Sequence, residues 1–113
     1  MQPMWSALYV VANHEKRVSK FLSTHHVDHY LPLYAEHSQW SDRAVLVERP
    51  LFHGYLFVRF RPEQRRLVLG APGVVRLAGE RDKLGTITDT EIERLRKVVA
   101  LGYRTHFPLQ WSA

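Results

Sequence analysis

The chain of 113 residues is 45% hydrophobic and 24% charged, which is typical of one globular domain with a single modest core. It contains no cysteine, which excludes disulfides, thiolate zinc sites and cysteine nucleophiles and favours a reducing cytoplasm. The 16 Lys+Arg against 11 Asp+Glu give a net charge of +5, which favours polyanions or acidic protein surfaces as partners. The N-terminus lacks the layout of a signal peptide, and no apolar run approaches the roughly 18 residues of a membrane span, so we expect a soluble protein without a membrane partner.

A strand and a helix are predicted first. Residues 5–11 are rich in β-branched and aromatic side chains, which indicates a strand. Asn13 is then expected to cap an amphipathic helix over about residues 14–26, because Val18, Phe21 and Leu22 recur there at helical spacing.

A hairpin is predicted next. Residues 29–40 and 43–48 read as strands on either side of the turn-forming Ser41 and Asp42. Pro32 donates no ladder hydrogen bond, so it should confine its strand to a sheet edge or to a bulge.

The strongest strand signal lies at residues 55–60, which we expect to form a central strand. A short helix should follow over residues 62–69, starting at a proline. After a Pro72-Gly73 turn, residues 74–77 are predicted to return as a further strand.

The last element is a helix with a recognisable start. Thr88 and Glu91 match a capping box, and the apolar residues that follow at helical spacing lead to Gly102, which can end the helix. Residues 1–102 are thus expected to form one domain, with residues 103–113 as a linker. The order β-α-β-β-β-α-β-α predicts an α+β fold, a mainly antiparallel four-stranded sheet flanked by helices.

Catalytic signatures are missing from the sequence. It has no Walker loop, no GxGxxG, no GxSxG and no plausible pair of catalytic carboxylates, so we expect neither an enzyme nor a bound cofactor. The cluster His25-His26-Val27-Asp28-His29 has no second ligand pair at a recognisable spacing. Solvated or capping histidines are therefore favoured over a metal site.

Large apolar side chains occupy both faces of two predicted strands. Because alternate residues of a strand share a face, Tyr55, Phe57 and Arg59 should point away from Leu56, Val58 and Phe60. The same alternation groups Trp5, Ala7, Tyr9 and Val11 opposite Leu8 and Val10.

If the two strands are neighbours, a contiguous aromatic patch results, formed by Tyr9, Phe52, Tyr55 and Phe57. A large patch of this kind usually marks a protein interface. The alternative is that a helix covers this face too and the aromatic side chains are simply core.

Several blocks of sequence, taken in order and spacing, resemble the N-terminal domain of the NusG family over roughly residues 5–101. They lie at 5–9, 13–18, 30–33, 50–58, 72–76 and 87–95, and the most specific is Pro50-Leu51-Phe52-His53-Gly54-Tyr55-Leu56-Phe57-Val58. The residues His14-Glu15-Lys16 and Pro72-Gly73-Val74-Val75 are similar to those of specialised antiterminators of the RfaH and UpxY type.

The resemblance implies a transcription elongation or antitermination factor in the bacterial cytoplasm. In that family this domain binds the clamp helices of the RNA polymerase β′ subunit through an aromatic depression and closes toward the β subunit. The residues implied here are Tyr9, Phe52, Tyr55 and Phe57, with His53 at the rim.

Other contacts follow less directly from the resemblance. The stretch Gln64-Arg65-Arg66-Leu67-Val68 lacks the His/Thr motif that reaches the β subunit in RfaH, so that contact and base-specific reading of DNA do not carry over. Arg65 and Arg66 remain candidates for contact with non-template DNA phosphate or with the polymerase, against the simpler interpretation of a solvated face. Family members continue into a KOW domain, toward which the linker would lead, and a monomer is expected.

A binding module of another class is the main alternative. Four-stranded α+β domains can stack the bases of RNA or single-stranded DNA on exposed aromatic residues, here Tyr9, Tyr55 and Phe57. A small enzyme that uses the histidine cluster is a third possibility, although the sequence indicates no cleft for it.

Overall fold

A computed structural model describes residues 4–40, 43–79 and 81–101, except for the side chain of Trp40. The elements in chain order are β1 (Ser6–Val10), α1 (Glu15–Thr24), β2 (Asp28–Tyr30), β3 (Leu33–Trp40), β4 (Arg43–Pro50), β5 (Tyr55–Arg59), a 3-10 helix (Pro62–Gln64), α2 (Arg65–Leu69), β6 (Val74–Leu77) and α3 (Asp89–Ala100). Over these stretches no helix combines the length and the apolar character needed to cross a membrane.

Four strands form one antiparallel sheet in the order β2-β5-β1-β6, and β3 and β4 form a separate two-stranded sheet. The expected α+β fold is confirmed, and β5 is central as predicted. The register between β1 and β5 runs from Ser6 opposite Val58 to Tyr9 opposite Tyr55.

Both faces of the four-stranded sheet are apolar, and helices cover them unequally. On one face Leu8, Val10, Leu56 and Val58 pack against α1 and α2. On the other face α3 packs over one part of the sheet, where the buried side chains are Trp5, Ala7, Phe57, Ile92 and Leu95. The predicted alternation of side chains is confirmed, and a helix does cover the part of the second face that holds Phe57.

The predicted strand over residues 29–40 is wrong, because two strands of different sheets share that stretch. β2 ends at Tyr30 inside the four-stranded sheet, and β3 begins at Leu33 in the hairpin. Pro32 lies between them outside any strand, where its carbonyl accepts the N–H of Leu51 at 2.8 Å. A proline has no N–H for a ladder, so the pairing breaks here.

The predicted hairpin itself is confirmed by the pairing of β3 with β4, from Leu33 opposite Pro50 to Trp40 opposite Arg43. Ser41 and Asp42, the predicted turn, lie outside the described residues. So do Gly102 and the predicted linker at residues 103–113.

The start of α1 also differs from the prediction. Asn13 has a positive φ of 70° and is not the cap residue; His14 precedes the helix and makes no capping bond through its side chain. Instead Glu15, with 2% of its surface exposed, turns its carboxylate inward to accept the N–H of Gly54 at 2.8 Å. A carboxylate in the first turn of a helix is favoured by the helix dipole.

α3 begins as predicted. The Oγ1 atom of Thr88 accepts the N–H of Glu91 at 3.1 Å, which is the first half of a capping box. One residue later, Asp89 accepts hydrogen bonds from the indole N–H of Trp5 and from Arg59, each at 2.7 Å. These contacts fix where α3 crosses the sheet.

Replacing Thr88 with alanine removes the cap of α3, and we expect the free energy of unfolding to fall by about 1 kcal/mol. Chemical denaturation of Thr88→Ala measures this directly. Thr90→Ala is the matched control, since Thr90 is an exposed residue two positions into the same helix. Equal losses in the two variants would contradict the assignment of the cap.

Candidate functional site

The four aromatic residues singled out from the sequence lie together on the sheet face that α3 only partly covers. Tyr9 and Tyr55 are cross-strand neighbours with ring centroids 5.7 Å apart. Phe52, from the loop before β5, stacks on Tyr55 at 5.0 Å with an interplanar angle of 17°. Phe57 meets the rings of Phe52 and Tyr55 edge to face at 5.8 and 5.9 Å.

These residues differ in how much they expose. Phe57 has 0% of its surface exposed and forms the floor of the cluster, whereas Tyr9, Phe52 and Tyr55 are half-buried. His53, which follows Phe52 in the chain, is exposed. We call the half-buried set Tyr9, Phe52 and Tyr55 the aromatic face.

Tyr30 extends the cluster toward the other edge of the sheet, and the sequence analysis missed it. It lies in β2 opposite Phe57, with ring centroids 6.5 Å apart. The guanidinium carbon of Arg96, from α3, lies 4.4 Å from the Tyr30 ring centroid. The alternation rule would have found Tyr30 if β2 had been recognised as a neighbour of β5.

Two charged residues around Tyr9 were also missed. Arg76 lies opposite Tyr9 in β6, with its guanidinium carbon 4.2 Å from the ring centroid. The Tyr9 hydroxyl donates to Oδ2 of Asp82 at 3.0 Å. The pairing of β1 with β6 places Arg76, but nothing in the sequence pattern indicates that the loop carrying Asp82 returns to β1.

Burial keeps the tyrosines of this region protonated. Desolvation first, and the neighbouring Tyr9 second, raise the pKa of Tyr55 to about 12. Desolvation likewise raises the pKa of Tyr30, and for Tyr9 the hydrogen bond to Asp82 adds to it. The phenols of the aromatic face are therefore neutral at neutral pH and act there as hydrogen-bonding, apolar groups.

The loop that carries Phe52 is held from two sides at Gly54. The N–H of Gly54 donates to the buried Glu15 carboxylate, and its carbonyl accepts the N–H of Val10 at 2.8 Å. Its φ of +89° lies in the left-handed region that favours glycine. The position of Phe52 therefore depends on the start of α1 as well as on β5.

Arg65 and Arg66, the other predicted site residues, do not join the aromatic face. Both are exposed on α2, which packs through Val68 on the opposite face of the sheet. The exposed side chains of α1 on that face include Lys16, Arg17 and Lys20. Arginine residues thus occur on both sides of the sheet, since Arg76 and Arg96 flank the aromatic cluster.

The histidine cluster makes local contacts. One ring nitrogen of His25 lies 3.0 Å from the carbonyl of Phe21, and His29 lies 2.8 Å from the hydroxyl of Ser19. In the part of the chain that the structure describes, no three His, Asp or Glu side chains are grouped so as to hold a metal ion.

Comparison with known protein families gives one match that spans most of the chain. A family model described as "Transcription termination factor nusG" matches residues 3–96. A comparison with curated proteins gave no match. The matched region includes every residue of the aromatic face, together with Arg65 and Arg66.

The raised pKa of Tyr55 predicts a dependence of stability on alkaline pH. Tyr55 has its ordinary pKa of 10.0 in the unfolded chain and a pKa of about 12 in the folded chain. Burial of the neutral phenol therefore contributes fully to the free energy of unfolding below about pH 10, and this contribution is lost as the pH rises toward 12. We expect the free energy of unfolding to fall less steeply over this range in Tyr55→Phe than in wild type. Denaturation curves at several pH values test this, and parallel slopes for the two proteins would contradict the burial of the phenol.

Proposed function

Because the chain belongs to the NusG family of transcription termination and elongation factors, which act with RNA polymerase, we propose that it docks on the coiled-coil clamp helices of the polymerase β′ subunit through the aromatic face. Docking there promotes processive elongation. The domain contributes binding energy and no bond chemistry, so it acts without a cofactor, and one copy suffices.

The half-burial of Tyr9, Phe52 and Tyr55 is the observation that carries this proposal. Tyr55 contacts both Tyr9 and Phe52, so the three rings form a contiguous apolar surface on a sheet whose register fixes two of them. Tyrosine is among the residue types enriched at the centres of protein interfaces, where a few side chains carry most of the binding energy. A pair of packed helices offers apolar side chains that can fill such a depression.

Phe57 and His53 have different roles in this proposal from those of the aromatic face. Phe57 is fully buried, so it supports the rings of Phe52 and Tyr55 from beneath instead of touching the partner. His53 is exposed at the rim, where a polar side chain contributes more to orientation than to affinity.

Processivity follows if the domain binds the closed clamp better than the open clamp. A ligand shifts a conformational equilibrium only by its difference in affinity for the two states. Bound to the clamp helices and reaching toward the β subunit, the domain favours the closed form and disfavours the pause-prone open one. The sequence blocks at 14–16 and 72–75 support a specialised antiterminator of the RfaH and UpxY type within this family.

Single substitutions on the aromatic face should weaken binding to a clamp-helix fragment. We expect Tyr55→Ala and Phe52→Ala each to cost about 1.4 kcal/mol or more, which is a tenfold rise in Kd. Calorimetric titration of the domain with the isolated fragment measures the effect, after circular dichroism has shown that each variant is folded. Leu46→Ala is the control, because Leu46 is 64% exposed on the β3-β4 hairpin, away from the face.

Loss of binding in the control as well as in the face variants would contradict the proposed surface. A folded wild-type domain that ignores the fragment but binds oligonucleotides tightly would favour the alternative, a free-standing RNA or single-stranded DNA module. The complete burial of Phe57 counts against that alternative, because a base cannot stack on a ring that has no exposed surface.

A secondary contact with DNA is proposed for Arg65 and Arg66. Both are exposed on α2, which packs on the face of the sheet opposite the aromatic face. We therefore expect a DNA contact there to leave the aromatic face accessible. Guanidinium groups suit phosphate oxygens and carry no sequence preference by that contact alone.

The double variant Arg65→Ala/Arg66→Ala should weaken binding to single-stranded DNA and lower its dependence on salt. If each arginine neutralises one phosphate, the slope of log K against log salt should decrease in magnitude by about 1.4. Fluorescence anisotropy across a salt series gives this slope. Binding of the clamp-helix fragment should be unchanged in the same variant, and an unchanged salt slope would exclude the phosphate contact.

A further inference from the structure

We propose that Asp82 is a positioning residue for the docking surface: it holds the hydroxyl of Tyr9, so that Tyr9 presents its ring and not its hydroxyl to the partner. The inference rests on the proposed docking function and adds a residue outside the aromatic face to it. It is based on the contacts that β5, β6 and the turn carrying Asp82 make with the side chain of Tyr9.

The ring of Tyr9 is fixed by contacts on three sides. Tyr55 lies across the strand pair at 5.7 Å, and the Arg76 guanidinium carbon lies 4.2 Å from the ring centroid on the β6 side. The hydroxyl donates to Asp82 at 3.0 Å. A tyrosine held only by ring contacts can still rotate about its side-chain bonds, and the hydrogen bond at its tip removes that freedom.

Asp82 is itself held in place by the turn in which it lies. Its Oδ1 atom accepts the N–H of Leu84 at 3.0 Å, its backbone N–H donates to Gly79 and its carbonyl accepts from Gly85. A Cβ at Gly85 would lie 1.8 Å from the carbonyl oxygen of Gly79, so the turn closes too tightly for any other residue there.

The same turn is attached to β1, the strand that carries Tyr9. The N–H of Ala7 donates to the carbonyl of Leu84 at 2.8 Å, and the hydroxyl of Ser6 donates to the carbonyl of Gly85 at 2.7 Å. The carboxylate of Asp82 is therefore fixed relative to the backbone of Tyr9 before any partner arrives. Its pKa is lowered, first by the Leu84 N–H and then by Tyr9, so it is ionised and accepts hydrogen bonds at neutral pH.

Two consequences follow for recognition. The partner surface opposite Tyr9 needs no hydrogen-bonding group for the phenol, because that hydroxyl is already engaged. Tyr9 loses its side-chain conformational entropy when the domain folds and not when the partner binds. This preorganisation raises the affinity.

A double-mutant cycle isolates this role. Asp82→Ala is measured in the wild-type background and in the Tyr9→Phe background, with the Kd for the clamp-helix fragment as the readout. The cycle cancels any loosening of the turn that does not pass through the Tyr9 hydroxyl. Lys83→Ala is the control, because Lys83 is an exposed neighbour in the same turn.

We expect Asp82→Ala to raise the Kd about fivefold in the wild-type background and to have little effect once Tyr9 is phenylalanine. Lys83→Ala should leave the Kd unchanged. Equal weakening in both backgrounds, or none in the wild-type background, would overturn the proposal.

A titration of the Tyr9 phenol separates failure of this inference from failure of the docking proposal. Asp82 raises the pKa of Tyr9, so Asp82→Asn should lower it. If the wild-type domain does not bind the fragment, the docking proposal fails, and the titration alone decides the contact. A lowered pKa then supports the hold on Tyr9, and an unchanged pKa refutes it.

Discussion

The antiparallel pairing of β1 with β5 is the interaction on which the rest of the structure depends. Both strands carry large apolar side chains on both faces, so the sheet has to be covered twice. α1 and α2 cover one face, while α3 covers only the part of the other that holds Trp5, Ala7 and Phe57. The half-buried aromatic face lies beside that part of the sheet and packs against the same core.

Two carboxylate contacts at the Tyr9–Tyr55 end of the β1-β5 pair hold this surface in place. The buried carboxylate of Glu15 fixes the loop of Phe52 through Gly54, and Asp82 fixes Tyr9. Each carboxylate comes from an element outside the cluster, so the face is supported by α1 on one side and by the 81–85 turn on the other. A surface ordered in this way loses little further freedom on binding, which suits the docking role that we propose for it.

Sequence periodicity predicted the parts of the fold that depend on local chemistry. The alternation of residues in β1 and β5 predicted which side chains lie on each face of the sheet, and Thr88 with Glu91 predicted where α3 begins. Both predictions succeed because strand alternation and helix capping depend on only a few neighbouring residues. The errors arose where a distant contact overrides a local preference. Asn13 is a good cap residue but adopts a positive φ beside Glu15, whose carboxylate is directed to Gly54, 39 positions away. Arg76 could not be assigned to the site without knowing that β6 lies beside β1, and Asp82 could not be assigned without knowing that the turn after β6 returns to β1.

The most direct measurement for the central claim is photo-crosslinking from position 52 within the intact elongation complex. A photoreactive phenylalanine analogue in place of Phe52 keeps an aromatic ring within the face, and the same analogue in place of the exposed Leu46 serves as the control. We expect crosslinks from position 52 to the β′ clamp helices and none to that segment from position 46. Crosslinks from position 52 to nucleic acid or to another subunit, with the clamp helices unlabelled, would contradict it.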